Sequence, residues 1–117
     1  MLSVPETFER QPHPKNVTEA AIFFDKQFKG WWKLIDLSVF DIFRGHVCVF
    51  GQVFGDYRFD LYRKIFKEED EGLGDKQPKN PGIFWKAKYN QQWKDEIKKR
   101  QEKYKWSLSI SKLIWNA

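Results

Sequence analysis

Asp56 and Asp60 stand four residues apart in a stretch with helical spacing. Two carboxylates on one helix face can exchange protons with a substrate or share a hard cation. Arg63 and Lys64 follow three and four residues after Asp60, so the same spacing also serves surface ion pairs. His46 and Cys48 are the other chemically capable pair. Two residues apart, they share a face in a strand but not a hydrogen bond, and in a helix they diverge. Neither geometry makes a Cys–His nucleophile, and Cys48 reads as a buried thiol.

His13 and His46 are the only histidines and Cys48 the only cysteine. No C-x-x-C, H-x-x-x-H or H-E-x-x-H spacing exists, so no metal site is expected. Gly51-Gln52-Val53-Phe54-Gly55-Asp56 lacks the lysine and preceding strand of a phosphate loop. No catalytic residue, cofactor or enzymatic activity is therefore expected.

Charge is the stronger signal. Residues 1–85 carry 12 cations and 13 anions, whereas residues 86–117 carry 9 and 3. The whole basic excess, +5 over the chain, thus falls in the last quarter. Lys94, Lys98, Lys99, Arg100, Lys103 and Lys105 crowd one segment, and Glu68-Glu69-Asp70-Glu71 forms an acidic run upstream. Both zones are candidate partner-binding surfaces, although a lysine-rich helix is also an ordinary solvated face. Lysines interleaved with Trp and Tyr suit a nucleic acid, but the rings share one stripe and the lysines the other. That leaves attraction to the phosphate backbone rather than base reading.

The elements that hold these residues follow from period and punctuation. The 117 residues make one domain, and an aromatic content of 18% supplies its core. Residues 1–15, with Pro5, Pro12 and Pro14, form an extended arm that packs through Leu2, Val4 and Phe8. Asn16 or Thr18 caps a helix over 17–29 that Gly30 stops. The adjacent Trp31 and Trp32 cannot point the same way, so one enters the core and the other lies on a neighbouring element.

Val47, Phe50, Val53, Phe54, Tyr57, Leu61 and Ile65 predict a helix over 47–66. Gly51 and Gly55 share a face there, open to a ring or another backbone. Residues 68–82 form a long loop. Trp85, Tyr89, Trp93, Ile97 and Tyr104 make one stripe of a last helix over 83–105. Short pieces are expected at 36–42 and 107–115, and 106–117 as a packed tail.

The fold class is mainly α: a small single-domain bundle of about three helices, with residues 16–105 as the helical core. The alternative is α+β with a short C-terminal strand over the alternating residues 107–111. No run of apolar residues is long enough to cross a membrane. Met1–Glu6 lack a secretory pattern, and the lone cysteine suits a reducing, cytoplasmic setting.

Three stretches carry a resemblance. They are Gly30-Trp31-Trp32-Lys33-Leu34-Ile35-Asp36-Leu37 with Val39-Phe40-Asp41-Ile42 after it, Cys48-Val49-Phe50-Gly51-Gln52-Val53-Phe54-Gly55-Asp56-Tyr57, and Trp93-Lys94-Asp95-Glu96-Ile97-Lys98-Lys99-Arg100. Together, over residues 18–102, they resemble small uncharacterised proteins of actinobacterial phages and prophages. The chain departs from that pattern in its aromatic arm, its lysine content and its Trp-rich tail. The resemblance implies a phage or mobile-element accessory protein in a host cytoplasm. Such a protein would bind and modulate or inhibit a host protein or protein–nucleic-acid complex, with an anti-defence (anti-CRISPR-like) inhibitor as one concrete form. The alternative is a nucleic-acid-binding protein using the basic C-terminal helix. Monomer and homodimer both remain open.

Overall fold

The computed structural model describes residues 2–55, 58–67 and 82–115, except for the side chains of residues 58, 59 and 107–115. The fold is mainly α, packed around buried aromatic rings. Four helices appear among the described residues: α1 (Val17–Gln27), α2 (Val49–Phe54), α3 (Arg58–Ile65) and α4 (Asn90–Trp115). Two strands of two residues, β1 (Gln11–Pro12) and β2 (Phe66–Lys67), pair in parallel.

Asn16 caps α1, its Oδ1 accepting the Glu19 amide at 2.8 Å. That satisfies one of the donors a helix start leaves open. Val17, Ala20, Ala21 and Phe24 form its buried face. Gly30, at φ 80°, turns the chain into a 3₁₀ turn over Trp31–Leu34. The two tryptophans then part: Trp31 is fully buried, while Trp32 meets the Tyr104 ring edge-on at 5.4 Å.

The single helix expected over 47–66 is two helices. Gly55 ends α2 at φ 70°, a left-handed conformation that glycine tolerates and other residues avoid. Gly51 does something different. A Cβ there would run into the backbone of Gly45 and His46. The close neighbour on that face is therefore another stretch of main chain, not a ring. Gln52 stitches the same region. Its amide donates to the carbonyls of Val47 (2.9 Å) and Asp36 (3.3 Å) and accepts the Asp36 amide at 2.7 Å. These bonds satisfy main-chain groups of residues 36–47, which form turns rather than a helix.

The last helix starts at Asn90, not 83. Ile83, Phe84 and Trp85 are all buried. Three consecutive residues cannot share one face of an α-helix, and the segment winds instead as 3₁₀ turns at Gly82–Phe84 and Ala87–Tyr89. The Ile83 carbonyl accepts the Trp93 indole N–H at 2.6 Å. At its other end α4 runs through residues 107–111 to Trp115. The strand considered there does not form. Extending an existing helix adds a hydrogen bond per residue, whereas a strand needs a free edge beside it.

The centre is a mesh of rings. Phe24 lies 5.4 Å from Trp31, 6.1 Å from Phe84 and 6.2 Å from Trp93, centroid to centroid. Phe84 lies 5.0 Å from Phe50 and 5.4 Å from Phe66. The N-terminal arm closes over this mesh. Phe8 stacks on Phe28 at 5.6 Å, the Leu2 amide bonds to the Val53 carbonyl, and Arg10 donates twice to the Phe66 carbonyl. Cys48 is buried and its thiol faces the Gly45 carbonyl at 3.3 Å, while His46 is exposed, so burial separates that pair.

Candidate functional site

Helix α4 is 26 residues long, about 39 Å at 1.5 Å per residue. Trp93 and Ile97 bury completely, Arg100 and Gln101 are half-buried, and residues 102–106 are exposed. The helix thus leaves the core near residue 101. Gln101 marks the exit, donating to the Trp32 and Ile35 carbonyls at 3.0 and 2.9 Å.

The cations divide by helical register. Lys94, Lys98 and Lys105 lie on one side of the core-facing stripe and Lys99 and Lys103 on the other, with Asp95 and Glu102 between them. Lys98 reaches Glu102 at 3.9 Å and Lys99 reaches Glu96 at 3.5 Å. Both lysines are about 70% exposed or slightly less, which makes such pairs worth little. Lys103 and Lys105 are exposed, with no ion-pair partner among the described residues.

Arg100 has a different task. Its side chain is 15% exposed. Nε donates to Asp25 Oδ1 and Oδ2 at 3.0 and 3.1 Å, and Nη2 to Asp25 Oδ2 at 2.8 Å. Nη1 donates to Glu96 Oε2 at 2.7 Å and to the Glu96 carbonyl at 2.9 Å. Asp25 Oδ1 also accepts the Trp31 indole N–H at 2.9 Å, and Glu96 Oε1 accepts the Thr18 hydroxyl at 3.2 Å. One guanidinium therefore ties α4 to α1 and to the Trp31 turn.

Partial burial pushes the Asp25 and Glu96 carboxyls upward, but the hydrogen bonds and charge of Arg100 prevail and hold both below the usual carboxylate range. Burial likewise works against the Arg100 charge, and the two carboxylates outweigh it, so its pKa is raised. A sequence signal for this network existed. Arg100 is the one arginine among the lysines of α4, with Glu96 four residues before it, and its planar fork fits two carboxylates at once.

Beside the network, the end of α1 and the flank of α4 enclose an open groove of about 410 Å³. Trp32 and Tyr104 supply rings, Lys29 and Lys103 supply cations, and Gly30, Asp25 and Arg100 complete the lining. Lys103 and Arg100 stand out within the cation run of the sequence, whereas Lys29, Trp32 and Tyr104 carry no local signal as one surface, because the groove joins segments about seventy residues apart.

Asp60 is exposed and pairs with Arg63 at 4.0 Å, whereas Asp56 and the run Glu68–Glu71 lie outside the described residues. Among the described residues no group of three His, Cys, Asp or Glu side chains could hold a metal ion, and no helix is long and apolar enough to cross a membrane. Comparison with protein-family models, with curated proteins and with solved structures finds no match to this chain.

Proposed function

We propose that the protein is a non-enzymatic accessory protein of phage or mobile-element origin that binds a host macromolecule in the cytoplasm and modulates or inhibits it, in the manner of an anti-defence inhibitor. The observation that carries this reading is the exposed lysine face of α4. It extends past the core while the arginine within it is held by Asp25 and Glu96. Long-range attraction from such a face draws in an acidic partner and orients it. The motif resemblance supports the context.

The test is capture from host lysate with two baits in parallel, the native chain and Lys98→Glu/Lys99→Glu/Lys105→Glu. Arg100 and Lys103 are left intact, because Arg100 supports the fold. A species retained by the native chain and lost with the triple variant, at equal melting temperatures, is the expected result. Equal retention by both baits overturns the assignment.

The second reading is contact with nucleic-acid backbone, favoured by the two lysine lines on α4. In that case affinity for duplex DNA falls with salt at a slope near −0.9 per phosphate contacted. No binding at low salt eliminates it.

A further inference from the structure

We propose that the groove between the end of α1 and α4 is a binding site for an aromatic anion of the nucleoside-phosphate class. The base lies against Trp32 and Tyr104, and the phosphate lies between Lys29 and Lys103. This site is separate from the lysines tested above, and it stands or falls independently of that reading.

Size is the first argument. About 410 Å³ falls within the range of small-ligand sites. Charge is the second. The lining holds Lys29, Lys103 and Arg100 against one carboxylate, Asp25. Arg100 and Asp25 satisfy each other. Lys29 and Lys103 remain, both exposed and on opposite elements, so the groove favours an anion.

The rings are the third argument, and they narrow the class. Tyr104 is 40% exposed and Trp32 half-buried, and they meet at the groove. A patch for phosphate alone has no use for two aromatic surfaces, whereas every base presents a π-face to stack on. Lys33 already reads those faces as a cation would, its Nζ 4.4 Å from the Tyr104 centroid and 5.5 Å from that of Trp32. A lysine stem is flexible. A base can take its place on the ring, leaving the ammonium available to the phosphate. Gly30 lines the groove because the turn there needs a left-handed residue. A Cβ there would meet nothing closer than 3.8 Å, but φ 80° excludes most side chains.

The chemistry is shared by a free nucleotide and by a single-stranded nucleic acid. Calorimetric titration of the full chain at low salt separates them, with adenosine monophosphate and an octathymidylate strand as probes. Adenosine, inorganic phosphate and duplex DNA are the controls. Adenosine monophosphate or the strand should bind at least about fivefold more tightly than adenosine or phosphate alone, the lower end of what one stacked base contributes. Tyr104→Ser, and separately Lys29→Ser, should each weaken that binding by about tenfold with the melting temperature unchanged. Comparable affinities for both probes identify a nucleotide site, and a much tighter strand identifies a nucleic-acid groove.

Equal affinity for phosphate and adenosine monophosphate overturns the proposal, because the rings then do nothing. So does duplex binding as tight as the strand and indifferent to Tyr104→Ser. Absence of binding by either probe overturns it outright. The triple variant Lys98→Glu/Lys99→Glu/Lys105→Glu leaves every lining residue in place, so it tells failure at the groove from failure of the lysine face.

Discussion

Two regions of this molecule use the same side chains to opposite ends. Around Phe24 and Phe84, tryptophans disappear: Trp31 and Trp93 are fully buried. At the far part of α4, Trp106 is 68% exposed and Tyr104 40%. Ring type does not decide between these outcomes. Both of these indoles have an acceptor for their N–H, Asp25 for Trp31 and the Ile83 carbonyl for Trp93. A buried donor without a partner loses its solvation with no return. The core therefore admits a tryptophan where the backbone or a carboxylate is placed to receive it. Beyond Gln101 the helix continues with residues 102–106 exposed, and Tyr104 touches the body through the edge of Trp32.

The sharpest way to break the comparison is to remove a ring from the centre. Phe84→Ala should lower unfolding free energy by about 3–5 kcal/mol in a urea titration. Phe84 touches Phe24, Phe50, Tyr62, Phe66 and Trp93, so its loss leaves a cavity with walls from most of the fold. Gly51→Ala belongs to the same class for the opposite reason. It adds volume where main chain already stands, and about 2–3 kcal/mol of destabilisation is expected. A cost for either below about 1 kcal/mol would mean that the centre is loosely packed.

The next prediction sharpens the boundary between the regions. Arg100→Met removes five donated bonds and strands two carboxylates, and should cost about 2–3 kcal/mol. Lys99→Met, one residue earlier and 70% exposed, should cost no more than about 0.5 kcal/mol. Equal effects would erase the distinction drawn between them.

The same network fixes a pH dependence. The folded values for Asp25 and Glu96 lie below their ordinary 3.8 and 4.5. Their contribution is complete above those ordinary values and is lost as pH falls through the lower folded ones. Melting temperature should therefore drop on acidification below about pH 4.5, and drop less in Arg100→Met, where the carboxylates have lost their partner. An identical acid profile in both proteins would assign the loss to other carboxylates.

What the sequence makes legible follows the same division. The cap at Asn16, the stop at Gly30 and the parting of Trp31 from Trp32 are local patterns, and each has a counterpart in the fold. The stripe Trp85, Tyr89, Trp93, Ile97 and Tyr104 holds only in part: Trp93 and Ile97 are the buried face of α4, Trp85 and Tyr89 precede the helix, and Tyr104 is 40% exposed. Gly51 and Gly55 look alike in a helical pattern. One is needed for a close approach of distant chain and the other for a left-handed cap, and only tertiary context separates them. Arg100 and Glu96 are legible as a local pair, but the tie to α1 is not, because Asp25 lies 75 residues away. The groove was hidden for the same reason. Gly51, Gln52, Gly55 and Trp31, all within the motif words, serve the scaffold here: a close approach, a stitched loop, a cap and a buried anchor.

The smallest expected effect is the most direct test of the far region. Trp106→Ser removes the largest exposed ring among the described residues. If the Trp106 ring stands clear of the core, it contributes little to folding, and stability should change by no more than about 0.5 kcal/mol. Serine does lower helix propensity slightly at that position, which is within the same margin. Trp93→Phe provides the matched control. It keeps most of the buried ring area but removes the indole N–H from the Ile83 carbonyl, so about 1–3 kcal/mol should be lost through one unsatisfied acceptor. The two substitutions differ in the opposite sense from the amount of ring they delete. A cost above about 1.5 kcal/mol for Trp106→Ser would place its ring against the domain and remove the contrast on which the exposed face of α4 depends.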